Sequence, residues 1–178
     1  MRKITNEQLG RPSPEEFELM PKMPVTVVLD NVRSQNNVGS FFRTSDAFGV
    51  ERIVLCGITA TPPNREIHKT ALGAEDTVHW EYAEDTESCV RSLREQGYTV
   101  LAVEQVEGAC MLDEFRADPQ RKYALVFGNE VFGVAQPVVD LCHGAIEIPQ
   151  VGTKHSLNVA VSGGAVLWSM FCEYRKLL

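Results

Sequence analysis

Polar side chains that could do chemistry gather in three short segments of the sequence, residues 30–44, 128–133 and 149–158, and each segment follows an apolar run. Arginine suits phosphate binding because its guanidinium is a planar fork of N–H donors. Asparagine, glutamate and serine can orient such a group or a substrate hydroxyl. The polar residues of these segments include Asn37, Arg43, Glu130, Ser156 and Asn158, whose types could serve such chemistry.

Each of these residues also has a purely structural interpretation. Arg43 lies about 140° around its predicted helix from the apolar Val38, so it can simply be a solvated side chain. Asn37, Ser156 and Asn158 are residue types favoured at helix N-caps. From the residue types alone, both interpretations stay open.

The glycine-bounded segment from Gly128 to Gly133 has the same ambiguity. It can be a turn in which glycine supplies unusual backbone angles, or Glu130 can hold an arginine. The spacing is not the G-x-G-x-x-G fingerprint, which argues against a nicotinamide cofactor. His155 beside Ser156 suggests a hydrolase only weakly, because the sequence has no G-x-S-x-G elbow.

Alternating strands and helices must position these segments. Asn36 and Asn37 predict the N-cap of a helix that ends before Gly49. This alternation predicts an α/β fold, a mostly parallel sheet with helices on both faces, in which ligands bind beyond the carboxyl ends of the strands. Strands are predicted at residues 25–29, 52–56, 77–80, 98–103, 123–127 and 145–148, and helices at residues 14–20, 37–48, 64–72, 86–97, 137–142 and from 158 onward.

Composition limits the function classes. The chain has 178 residues, of which 44% are hydrophobic, enough for one domain with a proper core. No apolar run reaches the length of a membrane span, and the first residues do not resemble a secretory signal. The five cysteines form no C-x-x-C pair, so we expect no metal site and reduced thiols in a cytoplasmic protein. The net charge of −7 argues mildly against a nucleic-acid partner, although a local basic patch would suffice.

Taken in order, the three segments resemble one family. The first reads Asn37-x-Gly39-x-x-x-Arg43-Thr44, the second Leu125-Val126-Phe127-Gly128-Asn129-Glu130-x-x-Gly133, and the third Ile148-Pro149-x-x-Gly152-x-x-x-Ser156-Leu157-Asn158. These blocks, called motifs 1, 2 and 3 below, resemble the SpoU/TrmH branch of the SPOUT superfamily of RNA 2′-O-ribose methyltransferases. The resemblance covers roughly residues 24 to 175.

The resemblance implies several properties that periodicity alone does not give. It implies a C-terminal trefoil knot, which topology rules treat as rare, and S-adenosylmethionine bound in that knot. It also implies a homodimer with residues of both chains near the active site. The implied cofactor-binding residues are Val103, Gly128, Ile148 and Leu157, with Glu104 near Val103.

The resemblance also assigns roles to the candidate residues. Arg43 would be the main catalytic residue, while Asn37, Glu130, Ser156 and Asn158 would organise it and the ribose. Arginine stays protonated in proteins, so we expect Arg43 to bind phosphate and stabilise developing alkoxide charge rather than act as a base.

The resemblance therefore implies a methyltransferase that uses S-adenosylmethionine to methylate a ribose 2′-hydroxyl in structured RNA, and we expect tRNA rather than rRNA as the substrate. The alternative is a non-catalytic RNA-binding or assembly factor of the same fold. Residues 1–23 are expected to form an extension with a short helix, and residues 24–178 the methyltransferase domain. Residues 57–69 either extend the RNA surface or form a rigid loop and a solvated helix.

Overall fold

The computed structural model describes residues 1–5 and 7–177. Its centre is a seven-stranded sheet in the order β3-β2-β1-β6-β4-β7-β5, in which every neighbouring pair of strands is parallel. The strands are β1 (Met23–Asp30), β2 (Val50–Cys56), β3 (Trp80–Ala83), β4 (Thr99–Val103), β5 (Cys110–Met111), β6 (Tyr123–Phe127) and β7 (Gly144–Glu147).

Helices cover both faces of the sheet, as the sequence predicted. The strand side chains alternate between two apolar clusters: Val27 and Leu29 face one, with helices α2, α3 and α6, and Val28 faces the other, with α4 and α5. Burial on both faces explains why the central strands are continuous apolar runs rather than alternating ones. The helices are α1 (Pro14–Leu19), α2 (Gln35–Phe48), α3 (Arg65–Ala71), α4 (Thr86–Glu95), α5 (Gln136–Leu141) and α6 (Val159–Tyr174).

Helix α2 begins earlier than the sequence indicated. The prediction that Asn36 and Asn37 form the N-cap is wrong: Ser34 is the N-cap, and its hydroxyl accepts the Asn37 N–H at 3.3 Å. The helix ends as predicted at Gly49, which adopts a φ of 61° that favours glycine. This start leaves the Asn37 side chain free for other partners.

The prediction of a strand at residues 77–80 is also wrong. A 3-10 turn over Ala74–Asp76 precedes this segment, and the Val78 N–H still bonds to the Ala74 carbonyl at 3.0 Å. The strand therefore starts only at Trp80. The two-residue strand β5 was not predicted, because it is too short to show any periodicity.

No helix in residues 1–5 and 7–177 is long and apolar enough to cross a membrane.

Candidate active site

A cavity of about 530 Å³ opens at the carboxyl ends of β4, β6 and β7. This is the sheet edge at which parallel α/β folds bind ligands. The structure brings all four predicted cofactor-binding residues into its wall, and three predicted catalytic residues join them. The wall thus includes Val103, Gly128, Glu130, Ile148, Ser156, Leu157 and Asn158.

The loop of residues 128–133, called the motif 2 loop, is closed on itself. Asn129 and Gly133 exchange both backbone N–H···O hydrogen bonds, at 3.0 and 2.8 Å. The Asn129 side chain donates to the Asn31 carbonyl and accepts the N–H groups of Val131 and Phe132. Gly128 is required at its position, since a Cβ there would lie 2.1 Å from the Gly133 carbonyl carbon. The loop therefore presents Glu130 in a fixed position.

Glu130 holds the start of motif 1 through backbone groups. Its carboxylate accepts the N–H groups of Arg33 and Ser34 and the side-chain amide of Asn37, each at 2.9 Å. Partial burial opposes ionisation, but these hydrogen bonds outweigh it and lower the pKa of Glu130 below its usual value. Among the described residues, no arginine side chain pairs with Glu130, so the idea that it holds an arginine finds no support within one chain.

Asn37 connects the first two motifs to the third. The Asn158 side-chain amide donates to Asn37 Oδ1 at 3.1 Å. Asn158 Oδ1 accepts the N–H groups of Ala160 and Val161, so Asn158 is also the N-cap of α6. A continuous chain of hydrogen bonds, Glu130–Asn37–Asn158, thus joins all three motifs.

Arg43 does not line this cavity. It lies on α2 six residues after Asn37, which rotates it by about 120° to another side of the helix. Its side chain is exposed, and it makes no hydrogen bond or ion pair with the residues that the structure describes. One chain therefore brings together Asn37, Glu130, Ser156 and Asn158, but not Arg43.

Two site residues were not singled out from the sequence, Asp30 and Phe132. Buried Asp30 accepts hydrogen bonds from the Thr86 hydroxyl at 2.6 Å and the Ala135 N–H at 3.2 Å, which fixes the loop after β1. The exposed ring of Phe132 stands at the cavity wall. An acidic residue directly after a buried strand was the available signal for Asp30. Glu104, which the resemblance placed near Val103, lines the cavity and accepts the Val134 N–H at 2.9 Å beside the motif 2 loop.

Fold and site together define an α/β protein with a cavity of small-molecule size at the carboxyl edge of its sheet, beside an array of polar side chains. Residues 24–168, most of the chain, match the model of the SpoU rRNA Methylase family. The chain therefore belongs to this family.

Curated relatives are RNA methyltransferases. The tRNA (guanosine(18)-2′-O)-methyltransferase of Thermus thermophilus is 34% identical over 145 residues, which cover 81% of this chain and 72% of that protein. The 23S rRNA (guanosine-2′-O-)-methyltransferase RlmB of Nitrosomonas europaea is 32% identical over 160 residues, which cover 90% of this chain. This chain spans only 60% of the length of that rRNA enzyme.

A solved structure agrees with the fold. The AdoMet-bound rRNA methyltransferase from Sinorhizobium meliloti matches with a TM-score of 0.79 at 29% identity, covering 94% of this chain and 62% of that chain. This likeness and the all-parallel strand pairing confirm the predicted α/β class. The trefoil knot stays a prediction.

The cavity of this chain fits S-adenosylmethionine. Its volume of about 530 Å³ lies in the range of small-molecule sites. Its wall combines the apolar side chains of Val103, Ile148 and Leu157 with the backbone of Gly128. These groups suit the apolar and polar parts of such a ligand.

Proposed function

We propose that the protein transfers a methyl group from S-adenosylmethionine to a ribose 2′-hydroxyl of a structured RNA, with tRNA as the first substrate class to test. The observation that carries this proposal is the hydrogen-bonded chain Glu130–Asn37–Asn158 at the mouth of the cavity. Two curated relatives support the proposed 2′-O-methylation, because one is named as a methyltransferase of tRNA and the other as a methyltransferase of 23S rRNA.

Val103, Gly128, Ile148 and Leu157 would hold the cofactor. When bound, S-adenosylmethionine supplies a methyl group activated by its positively charged sulfur. The protein's task is then to align the ribose with the cavity and to assist the loss of a proton from a weakly acidic hydroxyl. The proposal includes the predicted trefoil knot as the part of the fold that forms the cofactor site.

The hydrogen bonds of the site residues indicate which of them position the site and which one can contact the ribose. The Glu130 carboxylate already accepts three N–H groups, and both ends of the Asn37 amide are engaged. We therefore assign Glu130, Asn37 and Asn158 to positioning. The Ser156 hydroxyl lines the cavity without a hydrogen-bond partner among the described residues, so it is available to bind the ribose.

Arg43 needs a different placement, because it faces away from the cavity of its own chain. We propose that a second copy of the chain supplies it across a homodimer. There it would bind the phosphate next to the reactive ribose and stabilise alkoxide charge. Arg43→Lys, which keeps the charge but loses the fork, should then lose most activity. Near-full turnover of this variant would contradict the bidentate role.

Helix α6 offers the surface for such a dimer. From Val159 to Cys172 it carries no charged residue, yet Val161 and Trp168, seven residues apart on one side, are 59% and 50% exposed. Apolar exposed patches without charge are typical of protein interfaces. Trp168 also packs against Phe48 of α2, at a ring-centroid distance of 5.8 Å, so the patch continues onto the helix that carries Arg43.

We further propose that residues 1–23 are an extension and residues 24–178 the methyltransferase domain. No residue before Met23 is buried in the described part of the chain, which supports this division. A cytoplasmic location is part of the proposal. It is supported by five free cysteines, of which Cys56 is buried.

The first test is calorimetric titration of the protein with S-adenosylmethionine and with its demethylated product. We expect binding by the wild type and its loss in Leu157→Arg, which puts a charge into the cavity wall. Leu19→Arg, at an exposed leucine of α1, is the matched control and should bind normally. If the wild type does not bind, with or without bulk tRNA, the methyltransferase proposal fails and the non-catalytic alternative is favoured.

The second test is mixed-dimer complementation of methyl transfer. Arg43→Ala and Leu157→Arg homodimers should each be inactive. If Arg43 acts across the dimer, a mixed dimer has one complete site, built from the cavity of one chain and the arginine of the other. We expect about one quarter of wild-type activity after random mixing of equal amounts, since half of the dimers are mixed and each has one of two sites. No recovery in verified mixed dimers would show that Arg43 acts within its own chain.

A further inference from the structure

A second cavity of about 570 Å³ lies at the other end of the sheet, beside the edge strand β3. Its walls come from the loop after β2, from helix α3, from the 3-10 turn Ala74–Asp76 and from Trp80. None of these residues belongs to motifs 1 to 3. Three strand intervals separate β3 from β6, about 14 Å at the usual spacing, so one RNA can reach both cavities.

Two charged side chains in this cavity are free to bind a ligand. Arg65 and Asp76 are exposed, and neither makes a side-chain hydrogen bond or ion pair with any residue in the described ranges 1–5 and 7–177. The other two ionisable side chains of the lining, His68 and Glu75, are engaged. His68 Nδ1 lies 2.5 Å from Glu75 Oε1, and Glu75 Oε2 accepts the Gly73 N–H at 3.0 Å. Of its ionisable groups, the cavity therefore offers one guanidinium fork and one carboxylate to a ligand.

The aromatic wall of the cavity continues along β3. Trp80 and Tyr82 are 36% and 52% exposed. Residues two apart in a strand point to the same face, about 7 Å from each other. The Tyr82 hydroxyl donates to the Gly57 carbonyl at 3.1 Å, which fixes that ring. Exposed aromatic rings on a strand are platforms on which nucleobases stack.

We propose that this cavity is a second nucleotide-binding site, which holds a nucleotide of the substrate RNA other than the one being methylated. The base stacks on Trp80, the phosphate meets the Arg65 fork, and Asp76 accepts a hydrogen bond from an amino group of the base. The choice of RNA as the source of the nucleotide rests on the proposed function. The ligand is a base with an exocyclic amino group, which excludes uracil.

Affinity at this site is weak, because one base and one phosphate carry it and Asp76 repels the phosphate. We expect dissociation constants on the order of 1 mM for a mononucleotide. CMP and UMP form a matched pair of probes, since the amino group at C4 of cytosine is replaced by a carbonyl oxygen in uracil. That oxygen faces the Asp76 carboxylate and is disfavoured.

The experiment uses the fluorescence of Trp80. The chain has two tryptophans, Trp80 and Trp168, so Trp168→Phe leaves Trp80 as the only reporter. In this background, CMP should quench the fluorescence saturably, with an affinity about fivefold higher than that of UMP. Asp76→Asn should bring the ratio close to one, and Arg65→Ala should weaken both nucleotides about tenfold.

Arg91→Ala is the matched control. Arg91 is an exposed arginine on α4, on the opposite face of the sheet, and its loss should leave the titration unchanged. Circular dichroism of each variant checks the fold. Equal affinity for CMP and UMP, no saturable quenching by CMP at about 20-fold the expected dissociation constant, or full binding by Arg65→Ala would each overturn the proposal.

A second arm separates RNA from free nucleotide as the source. Hexacytidylate should bind more tightly than CMP if the site takes a nucleotide within RNA, and more weakly if the cavity accepts only a free nucleotide, which would overturn the RNA assignment. Neither titration requires S-adenosylmethionine or methyl transfer. If the methyltransferase proposal fails, the nucleotide-binding results remain valid. If the nucleotide does not bind, the result of the cofactor titration remains valid.

Discussion

The two loops that flank the candidate cofactor cavity are built in different ways. The motif 2 loop, residues 128–133, is closed by a backbone bridge and by the Asn129 side chain, and the Glu130 side chain ties it to the start of motif 1. The motif 3 loop, residues 149–157, is exposed along its whole length. Its only hydrogen bond in the described structure runs from the Gln105 side chain to the His155 carbonyl, at 3.1 Å.

This difference in hydrogen bonding indicates that the motif 2 loop and the motif 3 loop have separate roles at the cavity. Segments with few contacts and exposed backbone open at low free-energy cost, whereas hydrogen-bonded loops keep their geometry. We infer that the motif 2 loop is a preorganised wall that fixes Glu130, and that the motif 3 loop orders when cofactor contacts Leu157. Matched substitutions in the two loops test this inference.

The largest contrast is expected for alanine at one glycine of each loop. In Gly128→Ala the new Cβ would lie 2.1 Å from two backbone atoms, the carbonyl carbon of Gly133 and the nitrogen of Val134. The backbone therefore has to move. We expect a loss of about 3 kcal/mol in the free energy of unfolding. At Gly152 a Cβ would meet no atom within 4 Å, and Gly152→Ala should change stability by less than about 0.5 kcal/mol.

Urea unfolding of both variants measures this contrast. Equal losses in the two variants would mean that the motif 3 loop is as constrained as the motif 2 loop. A stable Gly128→Ala protein would mean that the motif 2 loop is not rigid.

The same contrast marks the limit of what the sequence could predict. The buried strand β1 and the helix end at Gly49 were predicted, because apolar runs and glycine stops are local signals. The contact between Asn37 and Asn158 joins residues 121 positions apart, and no local pattern encodes it. Motif resemblance brought both residues into the candidate site, but it did not reveal that Asn37 is the bridge or that Arg43 faces elsewhere.

A smaller contrast is expected from two polar side chains. Asn129→Ala removes the hydrogen-bond partners of three backbone groups: the carbonyl of Asn31 and the N–H groups of Val131 and Phe132. Leaving these groups without partners should cost about 1–3 kcal/mol. Gln105→Ala removes one exposed hydrogen bond to the motif 3 loop and should cost less than about 0.5 kcal/mol.

Denaturant midpoints and hydrogen exchange together measure this second pair. In the wild type, the amides of Val131 and Phe132 should already be protected without cofactor, and Asn129→Ala should abolish that protection. The amides of residues 151–156 should exchange rapidly in both proteins. Strong protection of residues 151–156 in the free wild type would contradict an open motif 3 loop.

The smallest effect is expected from the pH dependence of the Glu130 contacts. The pKa of Glu130 in the folded protein lies below its usual value of 4.5, so the unfolded chain binds more protons between the two values. The stability contributed by the ionised carboxylate is therefore fully present above the unfolded pKa and is lost as pH falls through the lower, folded pKa. Because most of the side chain is accessible to solvent, which screens the interaction, we expect a contribution of less than about 1 kcal/mol to the free energy of unfolding.

Glu130→Gln isolates this contribution. At pH 7 the variant should be slightly less stable than the wild type, because one carboxylate oxygen becomes an amino group that cannot accept an N–H. Other carboxylates titrate in both proteins, so their contributions cancel when the two free energies of unfolding are subtracted. The difference in free energy of unfolding between wild type and variant should therefore stay constant down to about pH 5.5 and become smaller below it. A gap that is independent of pH from 7 to 3 would mean that the backbone N–H groups of Arg33 and Ser34 do not hold an ionised Glu130, and the motif 2 loop would then lose its electrostatic link to motif 1.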